Sequence, residues 1–65
     1  MPVKVVGREQ VRKNIDGNVK VGALRESMKL REDQYISLVN GSPATDEETV
    51  SESDEVVFLE VFSGG

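Results

Sequence analysis

The feature that most constrains the fold is an apolar, β-favouring segment near the end of the chain, residues 56–62, which is followed by Ser-Gly-Gly. The segment has the length and composition of a buried strand. The Ser-Gly-Gly cannot extend a sheet or pack into a core, because glycine has no side chain and loses the most freedom on ordering. The sequence therefore predicts one domain, residues 1–62, and a thin tail, residues 63–65. The alternative is that the two glycines are an inert, frayed terminus.

Composition excludes several kinds of site. The chain has no cysteine, so neither a disulfide nor a thiolate metal site is available, and it has no histidine, the commonest general base and metal ligand. A domain of this size buries only about 60% of its unfolded surface. No apolar run is long enough to span a membrane, and residues 1–4 do not begin a signal peptide. We therefore expect a soluble cytoplasmic protein without a metal site.

Charge is distributed unevenly along the chain, whose net charge is −4. Residues 1–31 contain all eight basic residues and three acidic ones, whereas residues 32–65 contain nine acidic residues and no basic one. We expect an acidic face, built from the third to fifth strands and their connector, that attracts a basic partner. The alternative is two solvated faces that attract each other weakly. The negative net charge, and the lack of a basic patch that also contains aromatic residues, argue against a nucleic-acid partner.

Turn signals and apolar patterning divide the chain into six elements. They are, in order, a strand at 2–6, a weaker edge strand at 11–15, a short helix around 21–28, a strand at 35–39, a short edge strand at 42–44 and a strand at 56–62. Asn40-Gly41 is the favoured two-residue turn of a β-hairpin. An acidic connector, residues 46–54, has Val50 as its apolar anchor. The order β-β-α-β-β-β predicts an α+β fold with one helix across one face of a mixed sheet.

The helix is predicted from the spacing of Val21, Leu24 and Met28, which fall on one face. Gly22 weakens the helix by about 1 kcal/mol relative to alanine, so we expect the helix to be short. Leu30 is expected to close the core beyond its end. The side chains expected outside the apolar face are Arg25, Glu26 and Lys29.

Two predicted strands are apolar on both faces, although a single helix covers only one face of the sheet. These runs are residues 56–59 of the last strand, and Ile36, Leu38 and Val39 of the third. Some of these side chains must lie together on the uncovered face, where a contiguous apolar patch usually marks a partner surface. Burial of the patch by self-association is the alternative.

Together these features resemble the ubiquitin-like β-grasp family. The matching features are the element order, the Val39-Asn40-Gly41 hairpin, Val50 followed by Asp54-Glu55-Val56, the final strand and the terminal Gly64-Gly65. The resemblance covers the whole chain. It extends to the prokaryotic sulfur carriers, namely the molybdopterin-synthase small subunit and the thiazole-pathway sulfur carrier, and to the archaeal small modifier proteins.

The chain departs from the family pattern at Ser53-Asp54, where the turn before the last strand is usually Gly-Asp. Ser63 before the diglycine, with an aromatic residue in the last strand, is similar to the molybdopterin-synthase branch. The short length and the hairpin resemble the archaeal modifiers or the thiazole carrier instead. The branch therefore stays open.

The resemblance implies a chemical cycle at the end of the tail, in which an adenylating enzyme joins the Gly65 carboxylate to AMP from ATP. A sulfur donor then gives a thiocarboxylate, for sulfur transfer to molybdopterin, thiamine or tRNA. Alternatively, a cysteine and finally a lysine of a target protein give an isopeptide bond. The implied partners are the adenylating enzyme, a sulfur acceptor such as the molybdopterin-synthase large subunit, and target lysines, with no membrane partner. The partner enzyme consumes ATP, and the chain itself holds no cofactor and no catalytic residue.

The resemblance also implies which face the partner contacts. The expected contact residues are Leu59, Leu38, Pro43, Val61 and Phe62, next to the tail residues Ser63, Gly64 and Gly65. Leu59 points outward in this arrangement, with Leu38 as its neighbour on the third strand, and Phe58 lies in the core. The hydrophobic pattern alone favours the opposite phase, in which Glu60 points outward with Phe58 and Phe62 beside it. We favour the first arrangement, with Leu59 outward and Phe58 in the core. Glu60 can lie past the edge of the sheet, where the alternation of side chains along the strand no longer decides which of them are buried.

Two other function classes compete with a carrier. One is a non-conjugating β-grasp module that binds partners through its open sheet face and whose diglycine is incidental. The other is catalysis by the chain itself, for which Asp46, Glu47 and Glu48 are the available carboxylates. These three residues lie in an open acidic connector, where solvation is the simpler role.

Overall fold

The computed structural model describes residues 1–7 and 10–61. Its elements are β1 (Pro2–Val6), β2 (Val11–Asn14), β3 (Val19–Lys20), α1 (Val21–Ser27), a 3-10 turn (Glu32–Gln34), β4 (Tyr35–Val39), β5 (Ser42–Pro43), β6 (Thr49–Val50) and β7 (Val56–Glu60). The helix and the five main strands lie where the sequence predicts them. Phe62 and the tail residues Ser63, Gly64 and Gly65 lie outside the described residues.

Five strands form one mixed sheet in the order β2-β1-β7-β4-β5. The central strand β7 runs parallel to β1 and antiparallel to β4, and the predicted edge strands β2 and β5 are at the edges. A central strand is flanked by neighbours on both sides, which explains why the most apolar segment of the chain occupies this position.

The core lies between α1 and one face of this sheet. Its buried side chains are Met1, Val3, Val5, Val21, Leu24, Val50, Val56 and Phe58. Phe58 and Val56 are 0% exposed. Met28, the residue directly after α1, and Leu30 both pack against this cluster, although the sequence predicts Met28 within the helix and only Leu30 beyond its end.

A second, two-stranded sheet joins β3 to β6, and the sequence pattern did not predict it. Val19 pairs with Val50, and Lys20 pairs with Thr49. Strands of two residues are too short to show an alternating pattern. The pairing explains why Val50 can anchor the acidic connector, because its side chain is only 1% exposed.

Arg25 is buried, and the prediction that it faces outward is wrong. Its Nη1 donates to the Leu30 carbonyl at 3.0 Å, and its Nη2 donates to Asp46 Oδ2 at 2.7 Å. The hydrogen bond to Asp46 raises the pKa of Arg25 above its ordinary value. The Nε atom has no hydrogen-bond partner among the described residues. Arg25 therefore pins α1 to the connector through one strong charged contact.

Gly22 is required because the connector passes very close to the start of α1. Its N–H donates to the Asp46 carbonyl at 3.1 Å, and the N–H of Val21 donates to the Glu48 carbonyl at 2.9 Å. A Cβ atom on Gly22 would lie 2.7 Å from Asp46 Cβ, closer than real Cβ contacts come. The close contact outweighs the weak helix propensity of glycine, and the connector backbone caps two N–H groups that α1 leaves unpaired.

The Asn40-Gly41 turn has the backbone of a two-residue hairpin, with φ values of 51° and 85°. The Asn40 side chain also bonds the turn before β7, because its Nδ2 donates to Asp54 Oδ1 at 2.9 Å and its Oδ1 accepts from the Glu55 N–H at 2.9 Å. Asp54 Oδ2 accepts a further bond from the Ser51 N–H at 2.8 Å. These bonds, first that from Ser51 and then that from Asn40, lower the pKa of Asp54.

The lowered pKa predicts an acid-dependent contribution to stability. A carboxylate whose pKa is lower in the folded state stabilises the fold at pH values above the unfolded pKa of about 4, and this stabilisation is lost as the pH falls through the folded pKa. Asp54→Asn should therefore be less stable than the parent at pH 7, and the difference should shrink below about pH 4. Urea unfolding across this pH range measures the difference. Asp16→Asn, a change at an exposed aspartate, is the control. If the difference in unfolding free energy between Asp54→Asn and the parent stays constant with pH, the prediction is contradicted.

The contact between Arg25 and Asp46 predicts an asymmetric response to mutation. The Arg25 side chain is 7% exposed and that of Asp46 is 38% exposed. Removing Asp46 therefore leaves a buried positive charge without its partner, whereas removing Arg25 leaves a carboxylate that water can reach. Asp46→Ala should destabilise by about 3 kcal/mol, and Arg25→Met should destabilise less. Glu47→Ala, which breaks the exposed pair with Lys20, should change stability by less than about 1 kcal/mol in the same urea titration. A larger loss of stability for Arg25→Met than for Asp46→Ala would contradict this account.

Candidate functional site: the open sheet face and the base of the tail

The sheet face that α1 does not cover presents aliphatic side chains from four strands. We call this group the open-face patch; it comprises Val6, Ile36, Leu38, Pro43, Val57 and Leu59. Ile36 is 42% exposed and Leu59 is 37% exposed. A contiguous apolar surface on a small domain usually marks a partner surface.

The strand registers arrange the patch in two rows. In the row nearer the end of β7, Val6 pairs with Leu59, and Leu59 pairs with Ile36. Residues paired in neighbouring strands point to the same face and lie about 5 Å apart.

The second row crosses all five strands. It contains Arg12, Lys4, Val57, Leu38 and Pro43 in that order. The row is therefore cationic at the β2 edge and aliphatic from β7 to the β5 edge.

The side chains of β7 face the directions that the family resemblance implies. The hydrophobic pattern alone favours the opposite arrangement. Phe58 is 0% exposed in the core, and Leu59 points outward. Leu38 and Pro43 are directly opposite each other on the same face. The residue opposite Leu59 on β4, however, is Ile36 and not Leu38.

Ile36, Val57 and Val6 were not among the predicted site residues. Ile36 is two positions from Leu38 and must share its face in an extended strand, so the alternation already contained this signal. Val57 follows from Leu59 by the same argument. The inclusion of Val6 depends on the parallel pairing of β1 with β7, which no local pattern indicates.

The base of the tail, by which we mean Val61, lies beside the row that contains Leu59. The N–H of Val61 donates to the Gln34 carbonyl at 2.9 Å, one residue beyond the end of β7. Val61 is 39% exposed. The predicted roles of Phe62, Ser63, Gly64 and Gly65 fall outside the described residues and stay predictions.

Glu60 lies at the end of the sheet, on the same face as Phe58, and is half-buried. It pairs with Tyr35 and lines a cleft with Met28 and Leu30. A Cβ atom on Gly7 would collide with the Glu60 carboxylate. The glycine thus makes room for this side chain at the base of the tail, and the outward orientation that the hydrophobic pattern favours for Glu60 is wrong.

The expected acidic face on the third to fifth strands is not present in that form. The open-face residues described on β4, β5 and β7 are aliphatic. The connector instead contacts the start of α1 through Asp46 and Glu48, and Asp54 lies beside the Asn40 turn. Asp54 is therefore at the end of the sheet where β7 begins, about 13 Å from the end of that strand. Asp46 is placed differently, because its partner Arg25 also donates to the Leu30 carbonyl, and Leu30 lines a cleft with Glu60.

The carboxylates considered for catalysis do not form a clustered site. Asp46 pairs with Arg25, and Glu47 pairs with Lys20. Within residues 1–7 and 10–61, no group of three or more acidic residues is arranged to hold a metal ion. In the same ranges, no helix has the length and apolar character needed to cross a membrane.

A single helix across a mixed sheet, with parallel first and last strands at its centre, is the ubiquitin-like β-grasp fold. The sequence model of the ThiS family matches residues 3–65, so the chain belongs to the ThiS family. This family comprises ubiquitin-like small modifiers and sulfur carriers, and such proteins are carriers rather than enzymes.

One solved structure similar to this chain is the crystal structure of SAMP1 from Haloferax volcanii. The two sequences are 26% identical, the similarity covers 98% of this chain and 97% of SAMP1, and the TM-score is 0.64. The comparison with curated proteins gives no match.

The two faces of β7 predict opposite responses to mutation. Phe58→Ala should destabilise by about 3–5 kcal/mol, because it leaves a cavity in the core. Leu59→Arg should fold nearly as well as the parent, because an exposed position tolerates a charge. Thermal melts followed by circular dichroism compare the two, with Leu59→Ala as the control for side-chain truncation at the same site. Unfolding of Leu59→Arg together with a stable Phe58→Ala would mean that the phase of β7 is reversed.

Proposed function

We propose that this protein is a carrier whose Gly65 carboxylate is activated by an adenylating enzyme. A carboxylate oxygen attacks the α-phosphorus of ATP and displaces pyrophosphate, which leaves an acyl adenylate. A sulfur donor then displaces AMP to give a thiocarboxylate. In the conjugating alternative, an enzyme cysteine displaces AMP, and a target lysine then takes the acyl group as an isopeptide.

The observation that carries this proposal is the continuity between the open-face patch and the base of the tail. Leu59 belongs to the patch, and Val61 lies two residues further along the chain, just beyond the end of β7. The four residues beyond Val61 can span at most about 14 Å. An enzyme that binds the patch would therefore hold the carboxylate within a fixed distance of its ATP site.

The chemistry explains why the tail ends in glycine. A backbone that enters a narrow nucleotide site must avoid Cβ clashes and adopt dihedral angles that other residues resist. The α-carboxylate has an ordinary pKa of about 3.5, so it is ionised at neutral pH and ready to attack phosphorus. The ATP belongs to the partner enzyme, and the carrier contributes the nucleophile.

The partners proposed for this cycle are the adenylating enzyme, a sulfur acceptor such as a molybdopterin-synthase large subunit, and lysines of target proteins, all in the cytoplasm. Intact mass spectrometry of the chain from its native host distinguishes the two outcomes. An oxygen-to-sulfur exchange at Gly65 supports sulfur transfer. A Gly65 remnant on lysines of other proteins supports conjugation.

Deletion of Gly64 and Gly65 is the direct test of the tail. The truncated chain should keep the parent's melting temperature, because the core is formed by other residues, but it should lose all activation. The assay is ATP–pyrophosphate exchange by the adenylating enzyme, followed by mass spectrometry of the carrier. Gly64→Ala should reduce exchange without changing stability.

Leu59→Arg provides the complementary variant, since it keeps the tail but should weaken enzyme binding by placing an unpaired charge in the contact. A truncated chain that still formed a thiocarboxylate or conjugates would contradict the proposal. A truncated chain that still bound its partner with parent affinity, in a host where the parent shows neither product, would instead support the non-conjugating interaction module.

A further inference from the structure

Two cations lie directly opposite each other on the open face. Lys4 on β1 pairs with Arg12 on β2. Like charges at paired positions of neighbouring strands destabilise a sheet. Neither residue forms an ion pair among the described residues, where the pairs involve Lys20, Arg25 and Arg31. The free chain therefore retains a small unfavourable contact at this place, as functional surfaces often do.

The two cations border the open-face patch. Lys4 is also paired with Val57, whose other neighbour is Leu38. A partner that covers these aliphatic side chains must come within about one strand spacing of the Lys4 ammonium group. Glu55 lines the same shallow cleft but makes no ion pair with either cation. A carboxylate from a partner would find donors here that the chain itself does not use.

The composition of this surface favours an acidic protein over other anionic partners. Tyr35 and Phe58, the aromatic residues of the described ranges, lie on the opposite face, so neither of these two rings can stack with bases at this surface. The chain has a net charge of −4, which opposes binding to a nucleic acid or an anionic membrane as a whole. An aliphatic surface with two adjacent cations instead matches a protein surface with apolar side chains beside a carboxylate.

We propose that Lys4 and Arg12 form a docking determinant that binds carboxylates of the adenylating enzyme beside its apolar contact with the open-face patch. This inference rests on the proposed function. Arg12 is exposed and can bind a carboxylate through two parallel hydrogen bonds, whereas Lys4 acts as a point charge.

The test is ATP–pyrophosphate exchange by the purified adenylating enzyme, measured against carrier concentration. The double variant Lys4→Gln, Arg12→Gln should raise the KM for the carrier on the order of 10-fold at low salt, with kcat unchanged. The rise of KM with salt should be much weaker for this variant than for the parent. Its melting temperature should equal or exceed the parent's, because the like-charge contact is removed.

Lys13→Gln is the matched control. Lys13 is the neighbour of Arg12 on β2, is exposed and borders the same cleft, but its pairing with Val3 places it on the other face of the sheet. The variant loses one positive charge, as Arg12→Gln does, and should leave KM unchanged. Glu55→Gln should lower KM, since it removes an acidic group that lines the same cleft as the two cations. Arg12→Lys should fall between the parent and Arg12→Gln.

The outcomes separate this inference from the function on which it rests. If the parent chain supports no exchange at all, the proposed function fails. If the parent is active and the double variant keeps the parent's KM and salt dependence, the docking role is overturned and the proposed function stands. The docking role is also overturned if Lys13→Gln raises KM as much as the double variant. It is overturned as well if sedimentation shows that the two cations serve self-association.

Discussion

The burial of Phe58 is the contact on which the arrangement of the sheet depends. Its ring packs under α1, and the residue opposite it on β4 is the small Ser37, which is itself buried. Because side chains alternate along a strand, this contact forces Val57 and Leu59 to the uncovered face. The open-face patch is therefore a direct consequence of how the core is packed, and a mutation cannot reverse the phase of β7 without removing Phe58 from the core.

Two polar clusters hold the acidic connector in place. One is the contact of Arg25 with Asp46 at the start of α1, and the other joins Asn40 to Asp54 before β7. Neither cluster contains a residue of the open-face patch. Segregation of the charges in this way leaves the open face aliphatic, with a cationic border, although the chain as a whole is acidic. The stabilising contacts and the proposed docking surface thus use different residues, so each can be changed without the other.

Sequence patterns predicted the elements that have strong alternation, helical spacing or a turn signal, and they missed what depends on distant segments. The burial of Arg25 requires Asp46, which is 21 positions away, and the pairing of β3 with β6 involves only two residues of each strand. For the site, the outward phase of Leu59 came from the family resemblance, because apolar residues occupy both phases of β7. The contact of Leu59 with Ile36 depends on a register between strands that only the folded chain fixes.

The position of β7 also determines how the domain responds to a mechanical load. Tension applied through the tail acts along β7, which is joined over four residue pairs to β1 and over five to β4. To extract the strand, a force must shear both ladders together, since neither neighbour can be peeled away one hydrogen bond at a time. A load applied at the end of the tail would therefore act on the strand that has the most paired positions in the five-stranded sheet.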